Sequence, residues 1–495
     1  MPRNNINISI ESNNSPRTST PTHERSEEEP KERQSKRQKV LKEKKLPAEK
    51  DAILKSGQST GTKIKHHAQD LYFGKQYHKL DNVQKDSISN GFNSILDLTD
   101  NRPERNGQRS LFTKEEWLKL NSKWNKQKNW DQLDDDVQRM LKTIENLAVN
   151  DLKKAYVKTL SYQTKYALTE NEVYFEVYAC VLKTLYKKKK ILSSPSNTKF
   201  TEADYVINVW SKIFQSVFED SANNLFCKWG DSVAKDSSNS KKNSQQGDGV
   251  AIGDKIDLRI CTQSSHARVV DLACVEFAKN NHDGKFYSDH RKILREGKTA
   301  VDQFYGFLGL KSREKRNITG CCIQIAGVEG QVMNIKLVDQ GLYVASRLGS
   351  LRLPSSQVEM RKTRVLLQRL FTLKRNLLYL KNLFQKLEFD KSFDSKSMER
   401  KLNFKRSPYE NSSSEQSFSN ESSNEEISSQ EVSEEEISKE EASEEKVPSE
   451  DVSDVHKDTK YTSWVRGSWF PPPPKKDLRY DGVWHKHLFS PPPLS

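Results

Sequence analysis

The chain has 495 residues, of which 34% are hydrophobic and 30% charged, and its mean hydropathy is −0.87. So polar a composition excludes burial along the whole length, and a folded core must alternate with solvated segments. The net charge is +14, but residues 410–454 carry sixteen Asp/Glu against two Lys, a local −14, which leaves the remainder near +28; a body that basic attracts polyanions, nucleic acid foremost.

The opening MPRNNINISIESNN has no apolar stretch of the kind a secretory signal needs, and no run reaches the roughly 18 apolar residues of a membrane span. A soluble, intracellular chain with no membrane partner is expected. Residues 1–105, rich in Asn, Ser, Lys and Glu, show no sustained period and read as a disordered basic tail. Within it Lys36, Arg37, Lys39, Lys42, Lys44 and Lys45 form a basic cluster that suits nuclear targeting or a phosphate backbone.

Residues 110–192 read as a helical region. Thr113-Lys-Glu-Glu116 has the pattern of a capping box, and Val137, Met140, Leu141, Ile144 and Leu147 make an i, i+3, i+4, i+7 stripe. The run from Val173 to Tyr186 ends in Lys187–Lys190, favourable at a helix C-terminus.

From 200 to 390 the pattern is that of one α/β domain. Thr201-Glu-Ala-Asp204 caps a helix whose apolar face includes Val206, Val209, Trp210, Ile213, Phe214, Val217 and Phe218. The polar stretch from Ser232 to Gly249 reads as a loop, with an early strand hidden near Ala234 or inside it. Strands are predicted over Lys255–Ile260, Val269–Phe277, Ile318–Ala326, Gln331–Val338 and Leu342–Leu348. A helix is predicted from about Ser288 to Leu308, and one or two more from Ser355 to about Leu387. Gly327-Val-Glu-Gly330 reads as a hairpin turn. The fold class expected is α/β: a mixed central sheet flanked by helices, with a helical N-terminal region and long disordered tails, and without coiled coil.

Residues 407–460 form an acidic Ser/Glu-rich segment that cannot bury itself. Residues 461–495 carry Trp464, Trp469, Pro471–Pro474, Trp484 and Pro491–Pro493, a composition suited to docking on a partner that binds polyproline II. The six cysteines contain no CxxC pair, which argues against a zinc knuckle or disulfide framework. His266, His282 and His290 lack ligand spacing and read as surface residues. Neither GxGxxG nor GxxxxGK[ST] occurs, so nucleotide-driven chemistry has no support.

The chemistry concentrates in two predicted strands, Gly253-Asp-Lys-Ile-Asp257-Leu-Arg-Ile and Val270-Asp-Leu-Ala-Cys-Val-Glu276-Phe-Ala-Lys279. An acid in an apolar setting needs a partner, and two converging carboxylates can hold Mg²⁺. Over about 200–350 this arrangement resembles the PD-(D/E)xK nuclease superfamily, with its restriction-endonuclease-like fold. The resemblance implies that Asp257 and Glu276 bind Mg²⁺ (or Mn²⁺), with Glu219 or Glu202 on the preceding helix as an additional ligand. It also implies a lysine two residues after the acid, where this chain has Ala278. Lys279 turned inward by a bulge, or Lys292 or Lys298 from the next helix, would replace it. The implied function is a nuclear, nucleic-acid-associated, Mg²⁺-dependent endonuclease-like protein. The alternatives are a catalytically inactive scaffold that binds nucleic acid on the same fold, and an adaptor that works through its acidic and proline-rich tails.

Overall fold

The computed structural model describes residues 51–100, 107–125, 130–193, 200–244, 252–265, 267–281, 284–307, 310–404 and 461–471. The basic cluster Lys36–Lys45, His266, His282, the acidic segment and the prolines beyond Pro471 lie outside the described residues.

A seven-stranded mixed sheet organises the chain. In chain order its strands are β1 (Ile95–Asp97), β2 (Leu225–Val233), β3 (Lys255–Gln263), β4 (Val269–Ala278), β5 (Gly320–Ala326), β6 (Glu329–Asp339) and β7 (Leu342–Arg352), and across the sheet they run β1-β7-β6-β5-β4-β3-β2. The pairs β4/β5 and β1/β7 are parallel and the other neighbours antiparallel. A parallel pair needs a long crossover, and between β4 and β5 it contains a 22-residue helix, Gly284–Tyr305. The hairpin from β5 to β6 turns at Gly327, whose φ of +59° lies where a side chain is strained.

The helices are α1 (Thr60–Gly74), α2 (Asn82–Phe92), α3 (Lys114–Trp124), α4 (Asp135–Asn150), α5 (Leu152–Lys165), α6 (Glu172–Lys187), α7 (Lys189–Ser193), α8, α9 (Lys235–Ser244), α10 (Gly284–Tyr305), α11 (Ser312–Lys315) and α12 (Arg361–Phe404). Helix α8 joins Glu202–Tyr205, a π-turn over Val206–Trp210, and Ser211–Phe218. Both predicted capping boxes form: Thr113 accepts from the Glu116 amide and Thr201 from the Asp204 amide.

Successive strand residues face opposite sides of a sheet, and β4 uses both. Phe277 meets Phe214 of α8 and Trp229 of β2, each with ring centroids 6.1 Å apart. Glu276 faces the other way, toward α10. On the α8 side, Glu145 of α4 accepts from Tyr178 of α6 at 2.7 Å and from Arg364 of α12 at 3.0 Å, fastening three helices together.

Five expectations need correction. Residues 51–100 are not a disordered tail: they supply α1, α2 and the edge strand β1, whose Asp81 and Ser59 caps satisfy helix N-termini. The Ser/Lys/Asn-rich loop after Ser232 contains α9, and the hidden strand is β2. The segment 461–471 packs on the body of its own chain, burying Val465, Trp469 and Phe470. A boundary at 200 therefore does not isolate a domain, since β1 and that segment complete the same unit. The last helix is also continuous and ends at Phe404 rather than near Leu387. No helix among the described residues is long and apolar enough to cross a membrane.

Candidate functional site

The register of β3 and β4 brings the two predicted acids together. Leu258 pairs with Val275, so one step further along this antiparallel ladder Asp257 stands opposite Glu276. The side chain of Asp257 then reaches the neighbouring strand, where its Oδ2 accepts from the Phe277 amide at 2.9 Å. Glu276 is fully buried, and its parallel neighbour on β5 is Gln324.

The ammonium arrives from α10. Lys292 Nζ lies 2.9 Å from Glu276 Oε1 and 3.0 Å from Asp289 Oδ1, and donates to the Lys255 carbonyl at 3.2 Å. Glu276 Oε1 is thus met by the ammonium, whereas Glu276 Oε2 and Asp289 Oδ2 have no hydrogen-bond partner among the described residues. One turn earlier, Lys285 pairs with Glu202 of α8, donates to the Phe277 carbonyl at 2.9 Å, and lies 3.8 Å from Asp289. Four carboxylates and two ammonium groups thus meet where α8, β3, β4 and α10 converge.

The electrostatics follow from burial. Desolvation pushes the Glu276 carboxyl far above the ordinary carboxylate range; Lys292 opposes that rise, and the charges of Asp257 and Asp289 add to it. Asp289 is raised for the same first reason, with Lys292 and Lys285 opposing it. For Lys292, burial disfavours the charge, but Glu276 and Asp289 overcome it and hold the ammonium charged. Glu202 is raised by burial despite its bond to Lys285.

The other sequence candidates lie elsewhere. Lys279 follows the last residue of β4, which pairs with β5 in unbroken register from Ala273 to Ala278. Lys298 sits six residues, about 9 Å, beyond Lys292 along α10. There it is fully buried and donates to Asp302 Oδ2 and the Arg466 carbonyl, both at 2.6 Å. Glu219 ends α8 in an exposed position, whereas Glu202 starts that helix beside the site. Asp289 and Lys285 were missed. Their signal is the spacing Lys285, Asp289, Lys292, which places alternating charges four and three residues apart on one face of a helix.

Behind the carboxylates a second polar chain crosses the sheet. Gln324 donates to the Phe286 carbonyl at 2.6 Å, which aims its Oε1 at His290 Nδ1, 3.1 Å away; His290 Nε2 lies 2.9 Å from Asp97 of β1. Both ring nitrogens therefore face acceptors, and the imidazole is doubly protonated. Burial opposes that charge, yet Asp97 overcomes it and lifts His290 to about 9. The expectation of a surface histidine fails here because a carboxylate from β1 reaches it inside the core.

No three His, Cys, Asp or Glu side chains among the described residues stand close enough together to hold a metal ion as a ready-made cluster. The cysteines are free and buried or half-buried, and burial raises those of Cys227, Cys261, Cys274 and Cys322. Compared with family models, curated proteins and solved structures, the chain matches none.

Proposed function

We propose that this protein is a divergent metal-dependent phosphodiesterase acting on nucleic acid, with Asp257 and Glu276 as the metal-binding pair and Lys292 as the cationic partner. The observation that carries the reading is the Lys292 ammonium, 2.9 Å from Glu276 and presented by the helix that follows the Glu276 strand. It supplies the charge that Ala278 leaves out. The order α8, β2, α9, β3, β4, α10, α11, β5, with three antiparallel strands and then a helical crossover to a parallel one, supports a nuclease-like core.

The donor set suits Mg²⁺ or Mn²⁺. Mg²⁺ is commonly held by one or two carboxylates and completes its shell with water and substrate phosphate, so a pair suffices and a three-residue cluster is not required. Glu276 Oε2, buried and without a hydrogen bond among the described residues, is the atom such an ion would satisfy. When bound, the metal would polarise the phosphodiester and activate a water molecule. The chain's own residues would do the rest. Asp257 and Glu276 would place the ion at the strand ends. Lys292, held by Asp289, would turn its ammonium to the phosphate oxygens. The Lys285–Glu202 pair would fix α8 against β4. The excess positive charge outside 410–454 would draw in the polyanionic substrate. The basic cluster Lys36–Lys45 suits a nuclear site of action.

The test is cleavage of DNA and RNA by the purified chain with Mg²⁺ or Mn²⁺, against chelator. Glu276→Gln and Asp257→Asn should abolish cleavage, and Lys292→Met should slow it by roughly 10²–10³-fold, as loss of one charge-stabilising group does. A second reading, a binder without catalysis, is favoured by Lys292 already occupying the space between Glu276 and Asp289. If the wild-type chain and Glu276→Gln are equally inert on every substrate with both metals, catalysis is overturned. Steeply salt-dependent binding of nucleic acid would then establish the second reading.

A further inference from the structure

We propose that the groove bounded by α1, α2, β7 and α10 is a peptide-recognition site whose ligand is the segment 464–470 of this chain, Trp-Val-Arg-Gly-Ser-Trp-Phe. The segment arrives after 59 intervening residues beyond the end of α12 at Phe404, yet it is recognised in detail along backbone and side chains.

Asn93 grips it as a strand would. Its Nδ2 donates to the Trp469 carbonyl at 3.0 Å and its Oδ1 accepts from the Trp469 amide at 2.8 Å. One side chain thereby satisfies both backbone groups of the anchor residue. The Trp469 ring, 3% exposed, enters a cage of Tyr72, Tyr77 and Phe92 with centroids at 6.1, 5.9 and 5.4 Å. Lys298 donates to the Arg466 carbonyl at 2.6 Å and the Ser468 hydroxyl at 3.2 Å. The Phe470 ring lies 4.9 Å from the Arg295 guanidinium and 5.6 Å from the Lys241 ammonium. At the other end the Gly341 amide donates to the Trp464 carbonyl at 2.9 Å. A side chain at Gly341 would come within 2.7 Å of the Arg466 guanidinium, so the groove floor is shaped around the ligand.

These are the features of peptide binding: a buried aromatic anchor, backbone groups satisfied by the receptor, and flanking cation–π contacts. The strand ladders of the sheet do not include the segment. Two of its contacts, Arg295 and Lys298, lie on α10, the helix that also carries Lys292, so occupancy of the groove braces the candidate site. The inference itself stands whatever that site does.

The experiment uses the full chain with Trp469→Ala, whose own segment has lost its anchor, and a fluorescent peptide of residues 461–471. The variant should bind the peptide saturably by anisotropy, and the same peptide carrying Trp469→Ala should bind about 100-fold more weakly or not at all, as loss of an aromatic anchor implies. In parallel, a protease site placed between 405 and 460 of the wild-type chain is cut. The released C-terminal piece should co-elute with the body and be displaced by excess wild-type peptide. Failure of the peptide to bind the variant, together with a cut piece that no excess peptide displaces, would overturn the proposal and make the segment a fixed part of the core. Equal binding of both peptides would overturn it too, since Trp469 would then not be the anchor.

Discussion

Lys292 answers two buried carboxylates at once, and that shapes what its loss would do. Lys292→Met leaves Glu276 and Asp289 side by side with no ammonium between them. Removing one partner of a buried ion pair costs about 3–5 kcal/mol; Lys292 is a quarter exposed, which puts the variant at the lower end, about 3 kcal/mol, measurable as a shift in the urea midpoint. His290 makes a prediction in pH. Its folded value of about 9 exceeds the unfolded 6.5, so the fold binds its proton more tightly than the unfolded chain does. The resulting stabilisation is fully present below about pH 6.5 and is lost as pH rises toward 9. At 1.36 kcal/mol per unit it amounts to at most about 3 kcal/mol. Urea titrations between pH 6 and 9.5 should show this decline in the wild type and a flatter profile in His290→Gln. Asp86, raised to about 6, titrates at the lower edge of that window, and Glu296 and Lys315, each near 8, inside it, so the difference between the two profiles is what isolates His290. The acids of the site were legible because alternation in two short apolar strands leaves few places for Asp257 and Glu276 to go. The lysine was not: Lys279, Lys292 and Lys298 are equivalent in sequence, and only the depth at which α10 crosses the sheet selects among them. Of the two α8 acids the sequence offered, Glu202 stands beside Lys285, while Glu219 lies at the other end of the helix, next to the bridge from Asp220 to Leu225 of β2.

That depth is set at the level of the elements. Gly297 of α10 and Gly320 of β5 let helix and strand backbones approach closely: a Cβ on Gly320 would stand 2.0 Å from the Gly297 carbonyl oxygen, and one on Gly297 would stand 2.4 Å from Cys322 Sγ. Neither backbone can yield without lifting the helix. Gly320→Ala should therefore destabilise by about 1–3 kcal/mol, as overpacking does. It should also move Lys292 off Glu276, so that denaturation and the activity assay both register it, whereas alanine at the exposed Gly74, the last residue of α1, meets nothing within 4 Å. Strands β3 to β7 and helices α8 and α10 were visible in the sequence because period-2 and period-3.6 patterns persist over many residues. β1 was not, since three residues have no period and its partner Tyr343 lies 248 positions away from Ile95. Helix α9 was hidden by its polar composition, which tertiary bonds overrule: Ser237, fully buried, donates to Glu296, and the Asp254 amide donates to Ser237 at 3.1 Å.

At the scale of the molecule, the sheet recruits both ends of the described chain. A fragment of residues 200–390 would lack β1, and with it the cover over β7 and the Asp97 partner of His290. Such a fragment is expected to bind a hydrophobic dye and to give poorly dispersed amide spectra, whereas residues 51–471 should give sharp ones. Sharp dispersion from the short fragment would show that the core is autonomous after all. The Asn93–Trp469 clasp joins residues 376 positions apart. A ribosome adds about 5–20 residues per second, so α2 and β1 emerge roughly 20–75 seconds before the residue that completes them. For that interval Phe92, Tyr72 and Tyr77 have no indole to close over. The chain must then either shelter them with a chaperone or hold them in a provisional packing that Trp469 later displaces.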